Sequence, residues 1–135
     1  MQNVNGFPAA LPTGYTVADS DTKKSTQFGK FDKEDLGTGS EVFGIVQTNS
    51  EVFGVSLKAS RLKKIFGANY AKNPKRLTAL VEVYLADSHR VIRVPLVDIG
   101  PGESQPAHID LTWAADQFLK TEGEKIVDFR VLVAS

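Results

Sequence analysis

Apolar positions along the chain fall into short β-rich runs interrupted by two stretches with helical spacing. Residues 1–24 are rich in Pro, Gly, Ser, Thr and Asp and carry no apolar period, a pattern that predicts an extended arm or linker along the domain surface. The pattern changes at Ser25. STQFGKFD (25–32) reads as a first strand, with Gly29 suggesting close backbone packing, and KEDLGTG follows as an acidic, glycine-rich loop. SEVFG then occurs twice, at 40–44 and 50–54. Two copies do not make a solenoid. Val42, Val46, Val52 and Phe53 instead predict two strands joined by the polar turn 47–50.

SLKASRLKKIFG (56–67) predicts a short helix. Ser56 stands as N-cap, Leu57, Leu62, Ile65 and Phe66 share a face, and Gly67 is the stop. ANYAKNPKR is a loop. RLTALVEVYLA (76–86) and RVIRVPLVD (90–98) are β-rich runs separated by DSH, the pattern of a hairpin. Pro95 marks its strand as an edge or a bulge. LTWAADQFLKTEG (111–123) is a second helix, with Thr112 as N-cap, Gly123 as C-cap, and Ala115, Phe118 and Leu119 toward the core. In KIVDFRVLVA (125–134), Ile126, Asp128 and Arg130 alternate with Val127, Phe129 and Val131. The sum is a mainly β domain over 25–135, with six strands and two short helices. Short strands with brief helices favour a small barrel over an open doubly wound sheet.

Composition narrows the partners. The 135 residues carry 16 basic and 16 acidic side chains, so no net field recruits nucleic acid or anionic lipid. A neutral polymer such as a glycan needs no such field. The absence of cysteine removes disulfides, thiol nucleophiles and thiolate metal sites. Two histidines nineteen residues apart do not have zinc-site spacing, and neither a nucleophile elbow nor a phosphate loop is present. No metal and no cofactor are expected. No apolar run reaches membrane-span length, and the first residues lack a basic segment followed by an apolar core. Two compartments stay open: secreted or periplasmic if an export signal has been removed, cytoplasmic otherwise. The oligomeric state is left open as well.

The chemistry gathers around two acids. LVDIGPG (96–102) ends an apolar run in Asp98, and HIDL places Asp110 twelve residues later, ahead of the second helix. Each acid has two readings. Asp98 is either a site carboxylate or a turn residue bonding the Gly100 backbone. Asp110 is either a proton donor or a helix-capping carboxylate. An aspartic-protease site is set aside, because Ile99 stands where that chemistry needs a hydroxyl.

VDIGPG followed by HIDLTWAADQF resembles the double-psi β-barrel of expansins, family 45 glycoside hydrolases and rare-lipoprotein-A-type lytic transglycosylases. The resemblance runs from about Ser25 to Val133, and the SLKAS helix resembles the family's earlier helix. The expansin cysteines are missing, and TQFGKFD replaces the family's usual first-strand signature. The resemblance implies a six-stranded double-psi barrel acting on β-1,4-linked polysaccharide or peptidoglycan. Asp110 would be the general acid, Asp98 its assistant and Asp32 a distant base or nucleophile. His108 would tune Asp110 or touch substrate. Trp113 and Tyr70 offer faces for sugar rings, and Thr48, Asn49 and Ser50 offer neutral donors and acceptors. The alternatives are a non-catalytic, expansin-like glycan-binding module and an assembly module on the same barrel.

Overall fold

The computed structural model describes residues 6–8, 10–28, 39–40, 44–45, 53–122 and 124–135. Its strands are β1 (Tyr15–Phe28), β2 (Gly39–Ser40), β3 (Gly44–Ile45), β4 (Val55–Leu57), β5 (Leu80–Leu85), β6 (Arg90–Ile99), β7 (Ile109–Thr112) and β8 (Lys125–Ala134). The helices are α1 (Ala59–Phe66) and α2 (Trp113–Leu119), and short 3-10 turns at Tyr70–Lys72 and Pro74–Thr78 lead into β5. Six strands close into a barrel in the order β1–β7–β4–β6–β5–β8, while β2 and β3 pair separately. The pairs β1–β7 and β4–β6 are parallel, so they are joined by crossovers; β5–β6 is the expected antiparallel hairpin.

Alternation fills the barrel. Val55 and Leu57, Val81 and Val83, Ile92, Val94 and Leu96, Ile109 and Leu111, and Val127, Phe129 and Val131 form one buried cluster. Leu62 of α1 and Ala115 and Leu119 of α2 join it. In β8 the expected alternation holds, with Ile126 at 68% exposure beside buried Val127 and Phe129.

The boundary expected at residue 24 falls inside β1, which begins at Tyr15 and pairs with β8 from Tyr15↔Ala134 to Ser25↔Lys125. The early part of this strand has no apolar period because specific partners satisfy its polar side chains. Asp19 and Asp21 bond Arg61, Thr22 bonds Asp128, and Ser25 donates to the Lys125 carbonyl. Ahead of it, residues 6–8 lie against the barrel. Phe7 is buried edge-on to Tyr84, under the Arg130 guanidinium, which also donates to the Pro8 carbonyl at 2.7 Å. Beneath this segment the fully buried Glu82 carboxylate accepts from Arg130 and, at 3.0 Å, from Arg93.

Three local expectations are corrected. Ser56 lies in β4 and caps nothing. Lys58 takes the N-cap position of α1 without a side-chain capping bond, its Nζ donating instead to the Gln105 carbonyl, and Glu103 Oε2 accepts the orphan Ser60 amide at 3.2 Å. Thr112 does cap α2, accepting the Ala115 amide, but the helix ends at Lys120 in the left-handed region (φ 65°), three residues before Gly123. Phe118 is 41% exposed, because Ala115 and Leu119 fill the core-facing positions of this seven-residue helix. The duplicated SEVFG segment and its turn lie largely outside the described residues. Within it, β2 pairs with β3, with Ser40 opposite Gly44.

Candidate functional site

Strand register carries Asp98 and Asp110 to one place. Ile109 and Leu111 belong to the core, so Asp110 between them faces away from it. In β4, Val55 and Leu57 likewise leave Ser56 facing outward. In β6, the β4 register slips between the partners Leu96 and Asp98, and Val97 is the extra residue. This bulge turns Asp98 to the same side as Ser56. Ser56 is paired with Asp110 on one side and Asp98 on the other, and Asp110 is in turn paired with Thr26. Thr26, Asp110, Ser56 and Asp98 therefore form one row across β1, β7, β4 and β6. One strand separates the two acids, about 10 Å between Cα atoms.

Hydrogen bonds hold the row. Thr26 Oγ1 donates to Asp110 Oδ1 at 3.0 Å, and Asp98 Oδ1 accepts the Ile99 amide at 2.8 Å. The Gly100 amide, which the turn reading assigns to Asp98, donates to the Leu57 carbonyl at 2.9 Å. That bond folds the Gly100–Pro101 cis turn back over β4, where a Cβ at position 100 would stand 3.7 Å from Ser56 Oγ. Helix capping falls to Thr112, leaving Asp110 to the row.

His108 belongs to a neighbouring charged cluster. Arg61 Nη1 lies 2.9 Å from His108 Nδ1, and a guanidinium only donates, so Nδ1 accepts and the neutral ring carries its proton on Nε2. Burial, then the charges of Lys58, Arg61 and Lys23, push the His108 pKa down. Arg61 also donates to Asp19 Oδ2 at 3.0 Å and Asp21 Oδ2 at 2.8 Å, with its guanidinium 4.9 Å from the centre of the Phe129 ring. Burial opposes ionisation of Asp21, but the Arg61 bond and the Thr22 amide outweigh it and hold the carboxyl below its usual range.

The other expected site residues scatter. Tyr70 sits in the 3-10 turn after α1 and packs against the core cluster. Trp113 opens α2 and is half-buried. Asp32, Thr48, Asn49 and Ser50 lie outside the described residues. Sequence reasoning missed Thr26 and Ser56. Thr26 lay in an expected strand, but its partner depends on a parallel pairing of segments 84 residues apart.

No family model matches the sequence, and no curated protein matches it. Solved structures do. The Streptomyces papain inhibitor is 24% identical with a TM-score of 0.61, covering 85% of this chain and 96% of that one. The likeness is one of fold. An apo expansin of Clavibacter michiganensis is 12% identical (TM-score 0.52; 87% of this chain, 51% of that one). A mutant Clavibacter michiganensis expansin in complex with cellohexaose is 11% identical (TM-score 0.51; 87% and 51%). The chain thus spans about half the length of the expansins and nearly all of the inhibitor.

Proposed function

We propose that this barrel is a non-catalytic, expansin-like glycan-binding module, holding a neutral β-1,4-linked chain along the row Thr26–Asp110–Ser56–Asp98. The observation that carries the reading is the alignment of both acids with Thr26 on one outer face, over the buried hydroxyl of Ser56. Carboxylate oxygens accept from sugar hydroxyls, and the half-buried Thr26 hydroxyl can both donate and accept, while buried Ser56 backs the row. The expansin complex with cellohexaose supports the choice of ligand class. Net neutrality suits an uncharged polymer.

Cleavage demands more. A hydrolase needs a carboxylic acid presenting its proton to the leaving oxygen, and a second carboxylate across the bond. Here one oxygen of Asp110 accepts from Thr26 and one of Asp98 accepts from Ile99, and both acids stand on the same wall. Binding is therefore preferred to hydrolysis. The test is co-sedimentation with insoluble cellulose and with peptidoglycan, alongside a reducing-end assay on cellulose and mass spectrometry of soluble peptidoglycan products, which detects the anhydro ends a transglycosylase leaves. Bound protein without new chain ends supports the reading; new chain ends abolished in Asp110→Asn would replace it with the enzyme.

A second reading, a protein-binding barrel that blocks papain-type peptidases, is favoured by the match across 96% of the Streptomyces papain inhibitor. Stoichiometric inhibition of papain, without sedimentation on either polymer, would establish it over the first.

A further inference from the structure

Beyond the acid row, the structure carries an aromatic surface that the row does not use. Phe53 and Phe118 are 40% and 41% exposed and meet edge to face, ring centres 6.3 Å apart. With Trp113 and Gln117 they line a shallow hollow of about 480 Å³. A second hollow, of about 220 Å³, continues past Phe53 and Phe118 along β6 residues 91–94. Arg90 holds Phe118 from one side, its guanidinium 5.1 Å from the ring centre and donating to the Phe118 carbonyl at 3.0 Å.

We propose that Phe53, Trp113 and Phe118 form a stacking subsite for a pyranose unit of the same glycan held by the acid row. The inference rests on the glycan-binding reading and names a further part of its site. Nearness to the row is the first support, with Gly54, Val97 and Thr112 buried between the two surfaces. The Gly54 amide donates to Thr112 Oγ1 at 3.1 Å, and the Thr112 amide donates to the Gly54 carbonyl at 3.0 Å. These bonds pin Phe53 beside Trp113 at the mouth of the barrel. Phe53 lies three residues before Ser56, and Trp113 three after Asp110. At strand rise that is about 10 Å from the row, roughly the span of two linked sugar rings.

Chemistry and size are the others. Sugar rings present apolar C–H faces that pack on aromatic planes, rimmed by hydroxyls that need neutral donors and acceptors. Gln117 supplies such groups at the rim, and among the described residues no carboxylate lines either hollow. The exposed phenylalanine area is small beside a protein interface. At their exposures the two phenylalanines together present roughly 150 Å², against about 800 Å² per partner in a standard protein interface.

Trp113 is the sole tryptophan, so its fluorescence reports on this subsite directly. The experiment titrates the full chain with cellohexaose and with a soluble peptidoglycan glycan-chain fragment, following Trp113 emission and, by calorimetry, affinity. Phe53→Ala, Phe118→Ala and Asp110→Asn are compared, with circular dichroism confirming their fold. The expected result is a shifted Trp113 emission and an affinity about 2- to 12-fold weaker for each Phe variant. Binding that Asp110→Asn weakens but neither Phe variant changes, with emission unmoved, would overturn the subsite and leave the row standing. No binding of either glycan would overturn both. Concentration-dependent self-association removed by Phe118→Ala would also overturn the subsite, assigning this surface to a second copy.

Discussion

Gly54→Ala tests the bulge that brings Asp98 into the row. A Cβ at position 54 would lie 2.5 Å from Val97 Cγ1 and 3.0 Å from Val97 Cγ2. Neither side can easily yield, because Gly54 is tied to Thr112 through both its amide and its carbonyl, and Val97 is fully buried as the extra residue of β6. Overpacking of this kind costs about 1–3 kcal/mol, a fall in Tm of roughly 3–12 °C for a domain of this size. Val97→Ala alone removes two buried methyl groups and costs about 2 kcal/mol. The double variant vacates the space the new methyl needs, so it should be more stable than the sum of the single effects predicts, by about 1–2 kcal/mol. Urea unfolding of the wild type, both single variants and the double variant measures the cycle. Strict additivity, or a neutral Gly54→Ala, would refute the close approach of β4 to the Val97 bulge.

Glu82→Ala leaves buried Arg130 and exposed Arg93 without their shared carboxylate, and should destabilise the fold by about 3–5 kcal/mol in urea, chiefly through the uncompensated Arg130. Its second readout is the Gly6 and Phe7 amides, which should exchange faster as Arg130 is released from the Pro8 carbonyl. His108 has a folded pKa below its ordinary 6.5, so the unfolded chain binds the proton first as pH falls. Its contribution is complete above about pH 6.5 and lost as the pH drops toward the folded value. Unfolding free energy measured between pH 8 and pH 5 should decline in the wild type and decline less in His108→Asn; equal slopes would contradict this assignment.

Legibility in the sequence followed the kind of force involved. Where burial sets the structure, the apolar pattern was enough: the β5–β6 hairpin around 87–89, the alternation of Val127, Phe129 and Val131, and the Thr112 cap all stand where the residues point. Where polar side chains find distant partners, the local pattern carried no signal. Residues 15–24 look like linker because Asp19, Asp21 and Thr22 are satisfied by Arg61 and Asp128, 40 to 106 residues away. Ser56 looks like a helix cap until β4 is seen paired on both sides. Asp98 and Asp110 were visible as candidates, but the row they share with Thr26 depends on two parallel pairings and a bulge, none of which has a local signature.

The glycan-binding account meets its most direct test in the affinity of the wild type and of Thr26→Val for cellohexaose, measured by calorimetry with chain ends counted in the same samples. Thr26→Val keeps the shape of the side chain and removes the hydroxyl that orients Asp110. The account predicts binding without new chain ends, weakened about 10-fold or more by the substitution, the scale of a hydrogen bond to a charged group. Equal affinity in the two proteins, or no binding by the wild type, would contradict it.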